Sequence, residues 1–97
     1  MRKIVRSKRA RQDLIDIWRY IAEDDPQAAD TVLDAIETKC GLLRNHPRLG
    51  PSREDIREGL RCLPVGQYLV LYQIGTQCIR IVRVLHARRD LEGLFSK

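Results

Sequence analysis

A chain of 97 residues can bury one hydrophobic core and is too short for a second, so a single domain over 1–97 is expected. Eighteen Lys and Arg against thirteen Asp and Glu give a net charge of +5, a balance that favours anionic partners such as nucleic acid or an acidic polypeptide. The three cysteines, Cys40, Cys62 and Cys78, are odd in number and lack Cys-x-x-Cys or metal-type spacing to His46 or His86, which argues against a disulfide framework or a zinc site and for reduced core thiols.

The first residues, Met1-Arg-Lys-Ile-Val-Arg-Ser, lack the apolar core of a secretion signal, and no apolar run reaches membrane-spanning length, so a cytoplasmic protein is expected. Ile4 and Val5, flanked by basic residues, fit a short edge strand whose charges discourage aggregation. Ser7 offers an N-cap. Ala10, Leu14, Ile17, Trp18 and Ile21 then recur at helical spacing and predict an amphipathic helix, with Arg11, Asp13, Asp16 and Arg19 lying away from its apolar stripe.

Asp24-Asp25-Pro26 ends that helix and begins the next, because the residue before proline avoids the helical region while proline suits the first helical position. Ala29, Val32, Leu33, Ile36, Cys40 and Leu43 form a second stripe, which stops at Asn45-His46-Pro47. So short a linker implies an antiparallel helical hairpin. Residues 47–59, rich in Pro, Gly and charge, read as a surface connection.

Three apolar runs follow, Leu60 to Val65, Tyr68 to Ile74 and Cys78 to Leu85, with turns at Gly66-Gln67 and Gly75-Thr76 where glycine suits the first central position of a type II′ hairpin. They predict an antiparallel meander whose middle strand, apolar at Leu69, Val70 and Leu71, is central and covered on both faces. Asp90 to Phe95 would form a closing helical turn. The expected fold is therefore α+β, an N-terminal antiparallel helical hairpin packed on a small, mainly antiparallel β-sheet, with the opposite sheet face left to function.

Arg83 interrupts a β-branched strand and requires a partner, in the structural reading an ion pair or backbone bonds that lock the sheet edge. The functional reading is a guanidinium presented to phosphate or carboxylate. His86, Arg88, Arg89 and Asp90 form the other charged cluster, suited on paper to phosphodiester chemistry or to gripping an anion. Such chemistry needs an acid and a base on opposite sides of the scissile bond, and one histidine is offered. The alternative is that Arg88 and Arg89 are solvated while Asp90 caps the last turn. No Gly-rich phosphate loop, paired catalytic carboxylates or nucleophile elbow is present. Trp18, Tyr20, Tyr68 and Tyr72 are candidates for stacking nucleobases, but they lie in apolar stretches and read as core.

Taken in order, Ala10-x-x-Asp13-Leu14-x-x-Ile17-Trp18-x-Tyr20-Ile21-Ala22, Pro26-x-x-Ala29, Pro47-x-x-Gly50, Gly59-Leu-Arg61, Tyr68-x-Val70-x-Tyr72 and Ile81-Val-Arg-Val-Leu-His86-x-Arg88-x-Asp90-Leu91 resemble the ParE toxins of the RelE/ParE superfamily. The resemblance spans almost the whole chain. It implies a bacterial type II toxin that inhibits DNA gyrase, with no cofactor or metal, neutralised by a ParD-like antitoxin whose ribbon-helix-helix half binds DNA, so that DNA is met only through the antitoxin. The alternatives are a RelE-type ribosome-dependent mRNA endoribonuclease and a non-toxic antitoxin-binding module.

RelE-type ribonucleases carry an arginine directly after the tyrosine of the central strand, basic residues in the preceding strand and a tyrosine near the C-terminus. Here those places offer Leu69, Cys62 with Pro64, and Phe95, and Arg89 alone matches a catalytic arginine. The expectation is thus a gyrase poison rather than a nuclease. Arg61, Arg83, His86, Arg88, Arg89, Asp90 and Phe95 are the candidates for target or antitoxin contact, and Leu14, Trp18, Ile21, Leu33 and Ile36 for antitoxin binding along the helices. An acidic antitoxin segment is expected to dock along Leu14 to Ile36 and the sheet edge.

Overall fold

The N-terminal strand β1 (Lys3–Arg6) passes directly into helix α1 (Lys8–Ala22) at Ser7, whose hydroxyl does two jobs in the computed structural model of the chain. It accepts from Ala10 N at 2.9 Å, capping the helix, and donates to Val82 O at 2.8 Å, which ties the cap to a distant strand. The structure describes residues 2–89 and 91–95, without the side chains of Glu92 and Phe95. The contact candidates Asp90 and the Phe95 side chain therefore lie outside the described residues.

Helix α2 (Pro26–Leu42) opens as expected, with the Asp25 carboxylate accepting from Gln27 N and Ala28 N and Pro26 in the first turn. Strands β2 (Leu60–Val65), β3 (Tyr68–Ile74) and β4 (Cys78–His86) form the antiparallel meander. Sheet order is β1-β4-β3-β2, with β1 parallel to β4, so β3 is central as its unbroken apolar run requires. The helical hairpin covers one face of the sheet, where Ala10, Ile36 and Leu43 meet Val70, Tyr72 and Ile79. Fully burying each large aliphatic side chain there contributes about 1.5–3 kcal/mol. Among the described residues, no helix is long and apolar enough to cross a membrane.

The opposite sheet face is not left open. Leu60, Cys62, Leu71 and Leu85 project there, and the short helix α3 (Leu91–Phe95) covers them with Leu91 and Leu94, joined by Ile56 from the long connection. So many aliphatic side chains on one face could not stay wet, and a second small core forms. Cys62 belongs to it and Cys40 to the first, while Cys78 is half-buried. Burial pushes the Cys40 thiol up to about 11, which keeps it protonated and unreactive at neutral pH.

Two local expectations are corrected. Gly66 takes φ +60° as a tight turn requires, but Gly75 does not adopt a positive φ, and its connection runs over three residues, Gly75 to Gln77. What glycine offers at 75 is room, since a Cβ would sit 3.1 Å from Cys78 O, a close contact that calls for a small local shift. Asp13, expected to face solvent, is only 7% exposed. Its carboxylate receives Arg83 Nε at 2.7 Å, Arg83 Nη2 at 3.0 Å and Val84 N at 3.0 Å. The reason lies in the sheet: β1 stops pairing at Ile81, and a bulge at Val82 shifts the register so that Leu71 faces Arg83 and Tyr72 faces Ile81. Past that point β4 is an edge, and Asp13 supplies the acceptor that a strand would have given.

The connection 47–59 is anchored rather than loose at its start. Tyr72, fully buried, donates its hydroxyl to Pro47 O at 2.6 Å and accepts from Gly50 N at 2.9 Å. Tyr72→Phe is expected to cost about 1–3 kcal/mol in a denaturant titration, because the buried Gly50 N–H and the half-buried Pro47 carbonyl lose their partner; a loss below about 0.5 kcal/mol would refute the anchor. Gly50→Ala should destabilise as well, since a Cβ would lie 2.9 Å from both Cys62 O and the Tyr72 ring.

Candidate functional site

Tyr68 and His86 are register partners at the open end of the β3–β4 pair, and their rings meet edge to face with centroids 5.4 Å apart. The chain leaves β4 through a turn built on this histidine. His86 Nδ1 accepts from Arg88 N at 3.1 Å, its carbonyl accepts from Arg89 N at 2.9 Å, and Ala87 N donates to Gln67 O at 2.8 Å. With Nδ1 so engaged, the neutral ring carries its proton on Nε2. Tyr20, from the last turns of α1, stands over the pair with 76% of its surface exposed.

Two adjoining depressions share Tyr20, Tyr68 and His86 as a common wall. One, of about 430 Å³, is floored by Ile21, Val32, Ala35 and Val65 between the hairpin and the β2–β3 turn. The other, of about 390 Å³, is bounded by Asp16, Ile17 and Arg89. Burial, followed by the nearby Tyr20, raises the Tyr68 phenol above its ordinary value, so it stays a neutral hydroxyl at physiological pH. Arg88 and Arg89 are exposed beside this cleft. An apolar floor, aromatic walls and a rim of guanidinium groups are the chemistry that a polypeptide segment would suit. Among the described residues, no three His, Cys, Asp or Glu are grouped to hold a metal ion.

The candidates named from the sequence separate into distinct roles. His86, Arg88 and Arg89 do come together. Arg83 is 13% exposed and held by Asp13, so it locks the sheet edge. Arg61 donates Nε to Gly50 O at 2.8 Å and steadies the long connection. Among the helical candidates, Trp18 is partly exposed, with its indole donating to Asp30 across the hairpin at 2.8 Å, and Ile21 floors the cleft. Leu14 and Leu33 are half-buried, whereas Ile36 is 2% exposed and belongs to the core.

Sequence reasoning missed Tyr20, reading it as core. Its apolar neighbours in the chain gave it that appearance, although it stands outside the stripe and is largely exposed. The placement of charge is also different from what net charge alone suggests. Glu23, Asp24, Asp25, Asp30, Asp34 and Glu37 lie on the hairpin, and residues 20–38 contain no Lys or Arg. That stretch offers an acidic partner no cation of its own, and Arg6, which reaches it from β1, is paired with Glu37 at 2.8 Å.

A helical hairpin on a four-stranded mixed sheet, with an open cleft at one end, defines a small α+β domain. Its relatives say which. Residues 4–91 match the family described as ParE toxin of type II toxin-antitoxin system, parDE. Toxin ParE3 of Caulobacter vibrioides is 32% identical over 98 residues, covering 100% of this chain and 98% of that one. Toxin ParE1 of the same bacterium is 35% identical over 82 residues, 82% of this chain and 83% of its own. A solved structure described as the chromosomal ParDE TA system from P. aeruginosa superposes with a TM-score of 0.78 at 20% identity, over 91% of this chain and 98% of that one, and shows the same fold. The chain belongs to the ParE toxins of type II toxin-antitoxin systems.

Proposed function

We propose that this toxin inhibits DNA gyrase by binding it, without cutting nucleic acid, and that a ParD-like antitoxin neutralises it. The observation that carries this reading is the second core. At the place where RelE-type ribonucleases carry an arginine, Leu69 packs with Leu71 and Leu85 beneath Leu91 and Leu94, in an apolar layer where a charged phosphate clamp would be costly. Cys62, on the preceding strand, is buried in the same layer, and burial raises its thiol above the ordinary range, leaving it neutral. Two exposed cations, Arg88 and Arg89, stand beside an aromatic cleft with a single imidazole. One histidine cannot serve as both acid and base across a scissile phosphodiester.

The antitoxin reading rests on the same cleft. A segment lying over Tyr20 and Ile21 and reaching Trp18 would bury the aromatic walls, and carboxylates placed near its end would meet Arg88 and Arg89. Ile36 takes no part, being interior.

The test measures both activities of one preparation. Purified gyrase titrated with the toxin should lose supercoiling activity, while mRNA in a translation extract stays uncut, and the product of the adjacent gene should bind at micromolar concentration or below and restore supercoiling. Codon-positioned mRNA cleavage with normal supercoiling would assign the toxin to the ribonuclease branch instead. A toxin inert in both assays that still binds the antitoxin would be the non-toxic module.

A further inference from the structure

We propose that a second depression, which shares no residue with the aromatic cleft, binds the phosphate backbone of duplex DNA. There the start of β1, the end of α2 and the β3–β4 connection converge on a polar depression of about 560 Å³ lined by Arg2, Lys3, Arg44, Asn45, Thr76 and Gln77. This depression was not a candidate from the sequence, which implied that DNA is met only through the antitoxin. The surface adds a direct contact, and it stands whether or not gyrase is the target.

The depression is built rather than incidental. Lys3 N donates to Gln77 O at 3.1 Å and Arg2 Nε donates to Gly75 O at 3.0 Å, so the first strand and the turn are tied together. Arg44 folds back over α2, with a terminal nitrogen 3.6 Å from where a Cβ on Gly41 would lie. It is not needed to cap that helix, because the last carbonyls already accept from the backbone N–H groups of Leu43, Arg44, Asn45 and His46. Among the described residues, Lys3 and Arg44 form no ion pair, and no carboxylate lines the depression.

Three cations held together without a counter-charge repel one another, which is favourable only when an anion is present to separate them. The polar groups between them suit phosphate oxygens: two side-chain amides and a hydroxyl can donate alongside guanidinium and ammonium. Charge across the molecule points the same way. With six carboxylates and no Lys or Arg over residues 20–38, the cations lie on the rest of the surface, and a polyanion approaching from solution is turned away from that stretch.

The experiment follows binding of the full chain to a short fluorescent duplex of arbitrary sequence as salt is raised. Three phosphate contacts predict an affinity that falls about 40-fold between about 50 and 200 mM salt, and Lys3→Ala with Arg44→Ala should reduce that fall to about fourfold. Arg11→Ala with Arg19→Ala, which removes the same charge from exposed sites on α1, should leave the salt dependence unchanged. The exchange variant Lys3→Arg with Arg44→Lys should bind as the natural chain does, so a folding defect in the alanine variant would not hide the answer. The proposal fails if the natural chain does not bind, if the α1 control flattens the salt dependence equally, or if poly-glutamate of matched charge displaces the duplex as well as unlabelled DNA does. The last result would reassign the surface to an acidic polypeptide.

Discussion

Asp13→Ala is expected to destabilise the protein by about 3–5 kcal/mol, the cost of leaving a buried charge without its partner. Arg83 is only 13% exposed, and without the carboxylate its guanidinium faces a bulged strand and an apolar sheet. The same substitution strips the acceptor from Val84 N, so a backbone donor is orphaned as well. Arg83→Ala should cost less, about 1–3 kcal/mol, because Asp13 keeps the Val84 N–H and has Arg9 at 3.7 Å. Chemical denaturation of both variants measures the difference. Equal losses below about 1 kcal/mol would mean that the pair does not hold the edge, whereas the apolar double variant Asp13→Leu with Arg83→Met should recover much of the stability lost in Asp13→Ala. Toxicity should follow the amount of folded protein in every case, and full loss of toxicity by Arg83→Ala at unchanged melting would move Arg83 into the contact surface.

Charge reversal at the β4 exit should have the opposite signature. Arg88→Glu with Arg89→Glu alters two exposed side chains for which no ion pair appears among the described residues, so stability should change by no more than about 0.5 kcal/mol. If gyrase is the target, as proposed above, its inhibition should nevertheless weaken by about 100-fold or more, equivalent to roughly 3 kcal/mol for two contacts turned from attraction to repulsion. Supercoiling assays across a toxin titration, with circular dichroism of each variant, separate loss of contact from loss of fold. Undiminished inhibition would detach the cleft rim from the target and leave it to the antitoxin alone. His86→Ala is a harsher change, because the ring also packs on Tyr68 and accepts from Arg88 N, and it should disturb the turn itself.

Much of the architecture was legible in the chain because it rests on neighbours in sequence. Ser7 and Asp25 cap the helices through N–H groups two or three residues away, and Pro26 suits its place by its own ring. The apolar spacing of the helices and the unbroken run at Leu69 to Leu71 likewise encode burial in local periodicity. The resemblance to ParE toxins was readable for a related reason, since its motifs sit on those same local elements.

What the tertiary structure alone decided are the pairings between distant parts. Asp13 reads as a solvated helical residue until β4, 70 positions away, brings a guanidinium and an unpaired N–H to its carboxylate. Tyr72 reads as one more apolar strand residue until its hydroxyl meets Pro47 and Gly50. Tyr20 stands between apolar neighbours of α1, Ile17 and Ile21, yet 76% of its surface is in solvent. Arg2, Arg44 and Thr76 form one depression only because β1 lies beside β4 and α2 ends above their turn. Periodicity records which side of an element is apolar; it carries no information about which polar group arrives from elsewhere, and in this protein those arrivals set both the locked sheet edge and the charged surfaces.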